Sequence, residues 1–140
     1  MPFTKIWIHL IWSSKNREKT ISKEIKALLL DHIKENSLRK DIYIDCMNCV
    51  SDHIHILLSL GREQSISKIV MLIKGESSNW INKNNLINGR FEWQDEYIAI
   101  SVSESIIDKV RNYIHNQEEH HRLKSFDEEF RLFVKKYKFG

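Results

Sequence analysis

The sequence predicts an α+β domain in which helices cover an antiparallel sheet. Four segments carry strand patterns, with alternating apolar and polar residues or an excess of β-branched and aromatic residues. Four others repeat apolar residues at helical spacing. Their order along the chain is β-α-β-β-α-β-α-α, which is the ferredoxin-like split βαβ pattern followed by a helical extension.

The first elements are a strand, a helix and a pair of strands. The strand "FTKIWIHLIW", Phe3 to Trp12, is rich in aromatic and β-branched residues. Ser22 is placed to cap a helix that runs to about Leu38, with apolar residues at helical spacing. The segments "DIYIDCMNCV" and "HIHILLSL" follow with the short break "SD" between them. They are therefore predicted to be adjacent antiparallel strands.

The second half supplies a helix, a strand and two further helices. "SISKIVMLIKGESSNWINKN" has helical periodicity that Gly75 weakens. "FEWQDEYIAISVS" alternates and predicts the fourth strand. Ser103 is the predicted cap of a third helix, and Ser125 with Glu128 in "SFDE" forms a capping box for the last one. The first two helices are expected to cover one face of the sheet.

Composition bounds the class of protein without naming a function. The 140 residues are 41% hydrophobic and 29% charged, which predicts one globular domain over residues 1–140. No apolar run approaches the roughly 20 residues that span a bilayer, and the N-terminus lacks a signal-peptide pattern, so we expect a cytoplasmic protein without membrane contact. The net charge of +3 permits an anionic partner without requiring one.

The two cysteines lie in "CMNC", which admits a redox pair, half of a zinc site or simple packing. In a strand, residues three apart point to opposite faces, so Cys46 and Cys49 would reach one metal only across a bend. We therefore favour packing. The alternative is a metal module that adds His53 and His55 to the two thiols.

The stretch "SDHIHILLSL" sets two histidines one residue apart at the start of an apolar strand. Alternation places Ile54 and Ile56 on a core face and His53 and His55 on the other. Residues two apart in a strand are about 7 Å apart at Cα, so the imidazole tips are near enough to converge on one ion. The competing interpretation is that each histidine is an ordinary core or surface residue and binds no metal.

The third predicted helix contains "YIHNQ", which places Tyr113 and Gln117 four residues apart and hence on one face. A glutamine is unusual on a stripe otherwise built from isoleucine and valine. Together with His53 and His55, these side chains could supply three metal ligands and one nucleophile. Packing for the tyrosine and solvation for the glutamine remain the alternatives.

With these motifs the chain resembles the HUH single-tyrosine transposases of small bacterial insertion sequences, including their REP-associated relatives. "DHIHILL" is similar to the family's His-hydrophobic-His signature with its preceding Asp, and "YIHNQ" to its Tyr-Ile-x-x-Gln stretch. "WSSKNR", the "KG" at Lys74 and "FEWQDEYIAISVS" also fit, so the resemblance extends from about Ile8 to about Phe130. Ser51 stands where a proline often precedes the Asp-His, which affects a turn rather than the chemistry.

The resemblance implies cleavage and rejoining of single-stranded DNA, folded into hairpins at element ends. Tyr113 would attack a phosphodiester, retain the 5′ phosphate as a phosphotyrosine and release a 3′-OH. The covalent bond conserves the energy of the cut, so no nucleotide cofactor is needed. His53, His55 and Gln117 would bind a divalent metal, Mg²⁺ or Mn²⁺, with His121 as a rival third ligand. Asp52 would orient an imidazole or only form the turn.

The resemblance also implies a homodimer and contacts to DNA. Whether the tyrosine helix serves its own subunit or the partner is left open. The basic residues that could neutralise phosphate are Lys5, Lys15, Arg17, Lys74 and Arg90, although most charged side chains are only solvated. Two other functions remain: a catalytically silent module that binds single-stranded nucleic acid, and a replication initiator or relaxase-like nickase with the same HUH chemistry.

Overall fold

A single antiparallel sheet of four strands organises the fold, in the order β2-β3-β1-β4. The computed structural model describes residues 2–137 and 139, and for residues 120 and 121 it describes the backbone alone. The strands are β1 Trp7–Ser13, β2 Tyr43–Cys49, β3 His53–Ser59 and β4 Ile98–Val102. The predicted α+β class and the predicted pairing of β2 with β3 are therefore confirmed.

Among the described residues, five helices pack around this sheet: α1 Lys23–Arg39, α2 Ile66–Lys83, α3 Ile107–His115, α4 Gln117–Leu123 and α5 Phe126–Lys136. Short 3-10 turns lie at Lys15–Arg17 and Glu104–Ile106. Ser22, Ser65 and Ser125 each accept a hydrogen bond from a backbone N–H in the first turn of the helix that follows. Within the described part of the chain, no helix is both long and apolar enough to cross a membrane.

The main core lies between the sheet and the first two helices, as predicted. Alternate residues of β1 and β3 point into it and are at most 5% exposed: Ile8, Leu10, Trp12, Ile54, Ile56 and Leu58. The opposite face of the sheet carries His53 and His55. Helices α3 and α5 pack on that second face through two smaller apolar clusters. The histidines are therefore covered by the C-terminal half of the chain.

The first strand is shorter than the predicted span from Phe3 to Trp12. It begins at Trp7, which pairs with Ser59 of β3 and Val102 of β4, the last residues of both neighbouring strands. In the described segment before Trp7, residues 2–6, no neighbouring strand extends far enough to continue the ladder, although the carbonyl of Ile6 still accepts from Leu60. Phe3 is 96% exposed. Composition predicted a strand there, but a strand needs a partner.

The predicted third helix, which was to run without interruption through Gln117, breaks at Asn116. Asn116 has φ −96° and ψ 24°, outside the α-helical region. From β2, the side-chain N–H₂ of Asn48 donates to the carbonyls of Ile114 at 2.9 Å and His115 at 3.1 Å. These carbonyls belong to the last turn of α3, and that of Ile114 also accepts from the backbone N–H of Asn116. Asn48 thus ends the helix and fastens it to the sheet.

Lys74 of α2 anchors the loop that leads into β4. Its ammonium group donates to the carbonyls of Gln94, Asp95 and Glu96 at 2.6, 2.9 and 3.2 Å. The same group lies 5.5 Å from the centre of the Trp12 ring. Burial lowers the pKa of Lys74, while the nearby carboxylates of Asp95 and Glu96 oppose this effect. The three N–H groups of this predicted DNA contact are therefore already engaged.

Replacing Lys74 with Met should lower the free energy of unfolding by about 1–3 kcal/mol, because three carbonyls lose a charged donor while the side-chain length is kept. Urea denaturation followed by circular dichroism measures this change. Lys68→Met, at an exposed position of the same helix, is the matched control and should stay within about 0.5 kcal/mol of the parent. Equal stability of the two variants would contradict the anchoring role.

Candidate active site

The two histidines of β3 lie side by side on the covered face of the sheet. Both are fully buried, and their ring centroids are 5.2 Å apart. The Nδ1 atom of His53 is 2.8 Å from Oδ1 of Asp52, which is itself buried. The hydroxyl of Ser14 and its backbone N–H both donate to the carbonyl of Asp52 and hold the turn. The contact between Asp52 and Nδ1 orients the His53 ring, so that Nε2 is directed away from the turn.

A third histidine, His9 of the neighbouring strand β1, contacts the pair from the side. Its Nε2 atom is 2.9 Å from Nδ1 of His55. Burial, and to a lesser degree the neighbouring His55, lowers the pKa of His9 to about 3, so its ring is neutral at physiological pH. Nothing in the sequence indicated a role for His9.

Helix α3 brings Tyr113 to the same place within one chain. Its ring centroid is 5.7 Å from that of His55 and 6.3 Å from that of His9. The predicted proximity of the tyrosine to the histidine pair is therefore observed in a single subunit. The clamp from Asn48 to the last turn of α3 fixes this position.

Gln117 also faces the histidines, although it begins α4 rather than continuing the tyrosine helix. Its side chain is fully buried, and its Oε1 atom lies 3.4 Å from Nε2 of His53. Its amide N–H₂ donates to the carbonyl of Tyr113 at 3.2 Å, which leaves the oxygen directed at the imidazole. In the sequence, Gln117 stood out as a polar residue on an apolar stripe. In the structure its side chain has polar partners, His53 and the carbonyl of Tyr113.

Glu129 of α5 lies in the centre of this cluster, and the sequence interpretation missed it. Its carboxylate accepts a hydrogen bond from the Tyr113 hydroxyl. The same carboxylate lies 3.4 Å from Nε2 of His53 and 3.1 Å from Nε2 of His55. The available signal was its spacing, because Glu129 falls three residues after Phe126 on the apolar stripe of α5, and it is only 6% exposed.

The cluster strongly shifts the ionisation of its members. Burial alone would lower the pKa of His53, but hydrogen bonds to Asp52 and Glu129 outweigh it and raise this pKa to about 9. Burial would raise the pKa of Glu129, yet its hydrogen bonds with His53 and His55 lower it well below the usual range. Burial and then the Glu129 hydrogen bond raise the pKa of Tyr113 far above 10. The phenol is therefore held firmly in its protonated form.

The donor atoms fit a divalent cation. Within the part of the chain that the structure describes, His53, His55 and Glu129 form a group whose ligand atoms all lie within 4.8 Å of one another. Two donors bound at about 2.1 Å to one ion, at angles of 90–109°, stand about 3.0–3.4 Å apart. The carboxylate lies 3.1–3.4 Å from the imidazole nitrogens and Gln117 lies 3.4 Å from His53, which matches that spacing.

Helix α5 covers the site on the histidine face of the sheet. The Phe126 ring packs on His53 with centroids 4.6 Å apart, and Phe126 also contacts the apolar face formed by Ile11, Ile98 and Ile100. Arg17 lies over the Phe126 ring at 5.3 Å and forms an ion pair with Asp127 at 2.9 Å. The site therefore has a protein lid whose charged group, Glu129, reaches its centre.

The other predicted residues lie outside the cluster. Lys15 pairs with Glu92 at 2.9 Å, the Nε of Arg90 lies 3.4 Å from the same carboxylate, and Lys5 lies over the Trp7 ring at 4.3 Å. All three are exposed, at the surface, whereas the charged groups of Arg17 and Lys74 are engaged within the protein. The side chain of the rival ligand His121 lies outside the described residues.

The two cysteines do not share a site. Cys46 packs with Leu57 on the histidine face, and Cys49 is buried in the main core on the opposite face. Burial raises the pKa of Cys46 to about 11 and that of Cys49 to about 12, so both remain thiols. This placement favours packing over the alternative zinc or redox module.

Comparison with known proteins places this arrangement among the transposases. A family model described as "Transposase IS200 like" matches residues 2–117. The ISDra2 transposase TnpA of Deinococcus radiodurans is 29% identical over 115 residues, covering 78% of this chain and 81% of that protein. The matched region of the family model includes His53, His55, Tyr113 and Gln117 and ends before α5.

Two solved structures share the fold. A crystal structure of a transposase candidate from Deinococcus radiodurans superposes with a TM-score of 0.66 at 24% identity, covering 83% of this chain and 93% of that one. A REP-associated tyrosine transposase bound to a REP hairpin superposes with a TM-score of 0.65 at 14% identity, covering 86% and 72%. At these identities the likeness concerns the fold alone.

Proposed function

The chain belongs to the family of IS200-like transposases, and from that premise we propose that it cuts and rejoins single-stranded DNA through a covalent bond to Tyr113. The observation that carries the proposal is the buried cluster in which the Glu129 carboxylate contacts both the Tyr113 hydroxyl and the Nε2 atoms of the two histidines. These three side chains come from segments some 60 residues apart in the sequence, and general packing would not require them to meet.

The proposed reaction is a transesterification at phosphorus. The Tyr113 hydroxyl oxygen forms a bond to the scissile phosphorus while the bond from phosphorus to the 3′ oxygen breaks. The phenolic proton leaves Tyr113 for the solvent, and the released 3′ oxygen takes up a proton from the solvent to become a 3′-OH. One phosphate ester replaces another, so the 5′-phosphotyrosine retains the energy needed for rejoining and no nucleotide cofactor takes part.

A divalent cation, Mg²⁺ or Mn²⁺, would be held by His53 and His55 with an oxygen of Gln117 or Glu129. When bound, it would stabilise the negative charge that develops on the phosphate oxygens. Imidazole donors suit Mn²⁺ better than Mg²⁺, so tighter binding of Mn²⁺ is expected. Asp52 supports this role by fixing the His53 ring at 2.8 Å through its Nδ1 atom.

The proposed substrate is a DNA hairpin next to a single-stranded segment at the end of a mobile element. One structural neighbour is described as bound to a REP hairpin, which supports this choice of partner. Lys5, Lys15 and Arg90 are proposed phosphate contacts because their charged ends are at the surface, and Arg17 would join them if its pair with Asp127 opened. We leave Lys74 out of this set, because its ammonium group already binds three carbonyls.

We further propose a homodimer that acts in the cytoplasm, where its DNA substrate is found. In the sheet order β2-β3-β1-β4, the outer sides of β2 and β4 are edges that another copy could extend. Light scattering coupled to gel filtration measures the mass directly. A mass near 34 kDa, about twice the 16.8 kDa of the chain, would support the dimer.

The decisive experiment incubates the protein with a labelled hairpin that carries a single-stranded end, in the presence of Mn²⁺. A labelled band that survives denaturation and disappears on protease treatment is the expected product. Hairpin binding without this band would instead favour the catalytically silent binding module. Nicking of plasmid origin DNA, without rejoining of element ends, would favour the initiator or relaxase-like alternative.

His53→Ala and His55→Ala should each reduce the covalent product at least about 100-fold, because each removes a proposed metal ligand, and EDTA should have the same effect. Quantification of the covalent band over time provides the measurement. His115→Ala, at an exposed position of α3, is the matched control and should leave the rate unchanged. Undiminished product with EDTA present would refute the metal requirement.

A further inference from the structure

His9 contacts one of the proposed metal ligands at a distance that fixes its orientation. It belongs to β1, which is hydrogen-bonded to β3 on one side and to β4 on the other. Its backbone partner across the strands is Leu57, so His55 is its diagonal neighbour on the same face. The two rings are 5.1 Å apart between centroids, and Nε2 of His9 is 2.9 Å from Nδ1 of His55.

The environment of His9 keeps its ring in place. The side chain is 5% exposed, and the rings of Tyr113 and Phe133 stand edge-on to it, each at 6.3 Å. A buried imidazole held between a central strand and two aromatic rings has little freedom to rotate away from His55. The packing around His9 therefore holds the two histidines in contact.

The position of the proton on each ligand decides whether that ligand can bind a metal. An imidazole that gives the lone pair of Nε2 to a cation must carry its own proton on Nδ1. For His53, the Asp52 carboxylate lies 2.8 Å from Nδ1 and can only accept, which sets that proton in place. For His55 in its metal-bound form, the atom opposite Nδ1 is Nε2 of His9, so it is His9 that must accept. Without a metal, the Glu129 carboxylate lies 3.1 Å from Nε2 of His55 and competes for the same proton.

We infer that His9 is a positioning residue that accepts the Nδ1 proton of His55 and thereby favours the form of His55 that presents Nε2 for metal binding. The inference rests on the proposed metal role of His55. It gives the two ligands different supports: a carboxylate for His53 and a neutral imidazole, protonated on its own Nδ1, for His55. Neither the family match nor the sequence motifs assign this role to His9.

The test measures Mn²⁺ affinity of the full chain by titration calorimetry, without DNA. His9→Leu removes the acceptor and should weaken Mn²⁺ binding about 10–100-fold, the usual cost of losing an outer partner of a metal ligand. His9→Gln places an amide oxygen near the former Nε2 position and should stay within about threefold of the parent. Ile11→Val, directly opposite His55 in the sheet, is the packing control and should bind normally.

Thermal stability separates positioning from packing. Leucine leaves the buried Nδ1–H group of His55 without its acceptor, and glutamine buries an extra amide N–H₂ group, so both variants should melt below the parent. Mn²⁺ affinity, in contrast, should fall in the leucine variant alone. Equal loss of Mn²⁺ affinity in both variants, in step with their melting temperatures, would overturn the inference.

The tautomer can be observed directly by long-range ¹H–¹⁵N correlation in metal-free Glu129→Gln protein, which has no carboxylate opposite Nε2 of His55, at a pH where His55 is neutral. In this background, the protein with His9 and the His9→Gln variant should show the proton of His55 on Nδ1, and His9→Leu should show a shift towards Nε2. An unchanged tautomer in His9→Leu would overturn the inference even if Mn²⁺ binds. Absence of Mn²⁺ binding by the parent would count against the proposed function instead, so the two failures are distinguishable.

Discussion

Tyr113→Phe is expected to abolish the covalent protein–DNA product while the affinity for the hairpin stays within about threefold of the parent. The substitution removes the hydroxyl oxygen that forms the new bond to phosphorus and keeps the ring that packs against His9 and His55. Loss of an attacking group lowers the rate by a factor on the order of 10⁴ or more. A denaturing gel measures the product, and a gel shift under native conditions measures binding.

The matched control is Tyr43→Phe, because Tyr43 is 53% exposed at the start of β2. This variant loses the same atom and should form product at the parent rate. Mass spectrometry of a protease digest of the parent product should place the nucleotide on the peptide that contains residue 113. Persistence of the covalent product in Tyr113→Phe, or its location on another peptide, would assign the nucleophile to a different residue.

Much of the fold could be predicted because its pattern is local. Alternation along β3 separated Ile54 and Ile56 from His53 and His55, and the structure places these pairs on opposite faces. The limits of the elements were less predictable, since they depend on partners elsewhere in the chain. The extent of β1 depends on where β3 and β4 stop, and the end of α3 depends on Asn48 of β2.

Residues of the site could be predicted only where they lie in a recognisable sequence motif. His53, His55, Tyr113 and Gln117 lie in two short patterns, whereas His9 and Glu129 are single residues in segments that otherwise suggest packing. Their contacts to the cluster depend on strand register and on the docking of α5, which no local pattern encodes. Gln117 and Glu129 share one signal, a polar residue on an apolar stripe, but only Gln117 also lies in a recognisable motif.

The position of Glu129 has a direct consequence for the proposed reaction. The scissile phosphate has to come within about 3–3.5 Å of the Tyr113 oxygen. That space is taken by a carboxylate which accepts the tyrosine proton and lies 3.1 Å from His55. Two unit negative charges 4 Å apart repel by about 4 kcal/mol at an effective dielectric constant of about 20. In the proposed reaction, entry of the phosphate is therefore expected to displace Glu129.

Glu129→Gln should accordingly speed formation of the covalent product by about tenfold or more at saturating Mn²⁺. The amide keeps the shape of the side chain and an oxygen for the metal, but it removes the charge that repels phosphate and that raises the pKa of Tyr113. At limiting Mn²⁺ the gain should shrink, because a neutral amide is a weaker ligand than a carboxylate. Single-turnover rates at several Mn²⁺ concentrations measure both effects.

Glu128→Gln is the matched control for this second variant. It makes the same chemical change one residue away, at an exposed position where glutamine can replace glutamate in the capping box with Ser125. Its rates should equal those of the parent at every Mn²⁺ concentration. If Glu129→Gln instead slowed the reaction tenfold at saturating Mn²⁺, the carboxylate would be required for the chemistry, as a ligand or as the acceptor of the tyrosine proton. The same carboxylate would then have to share the site with the phosphate rather than yield to it.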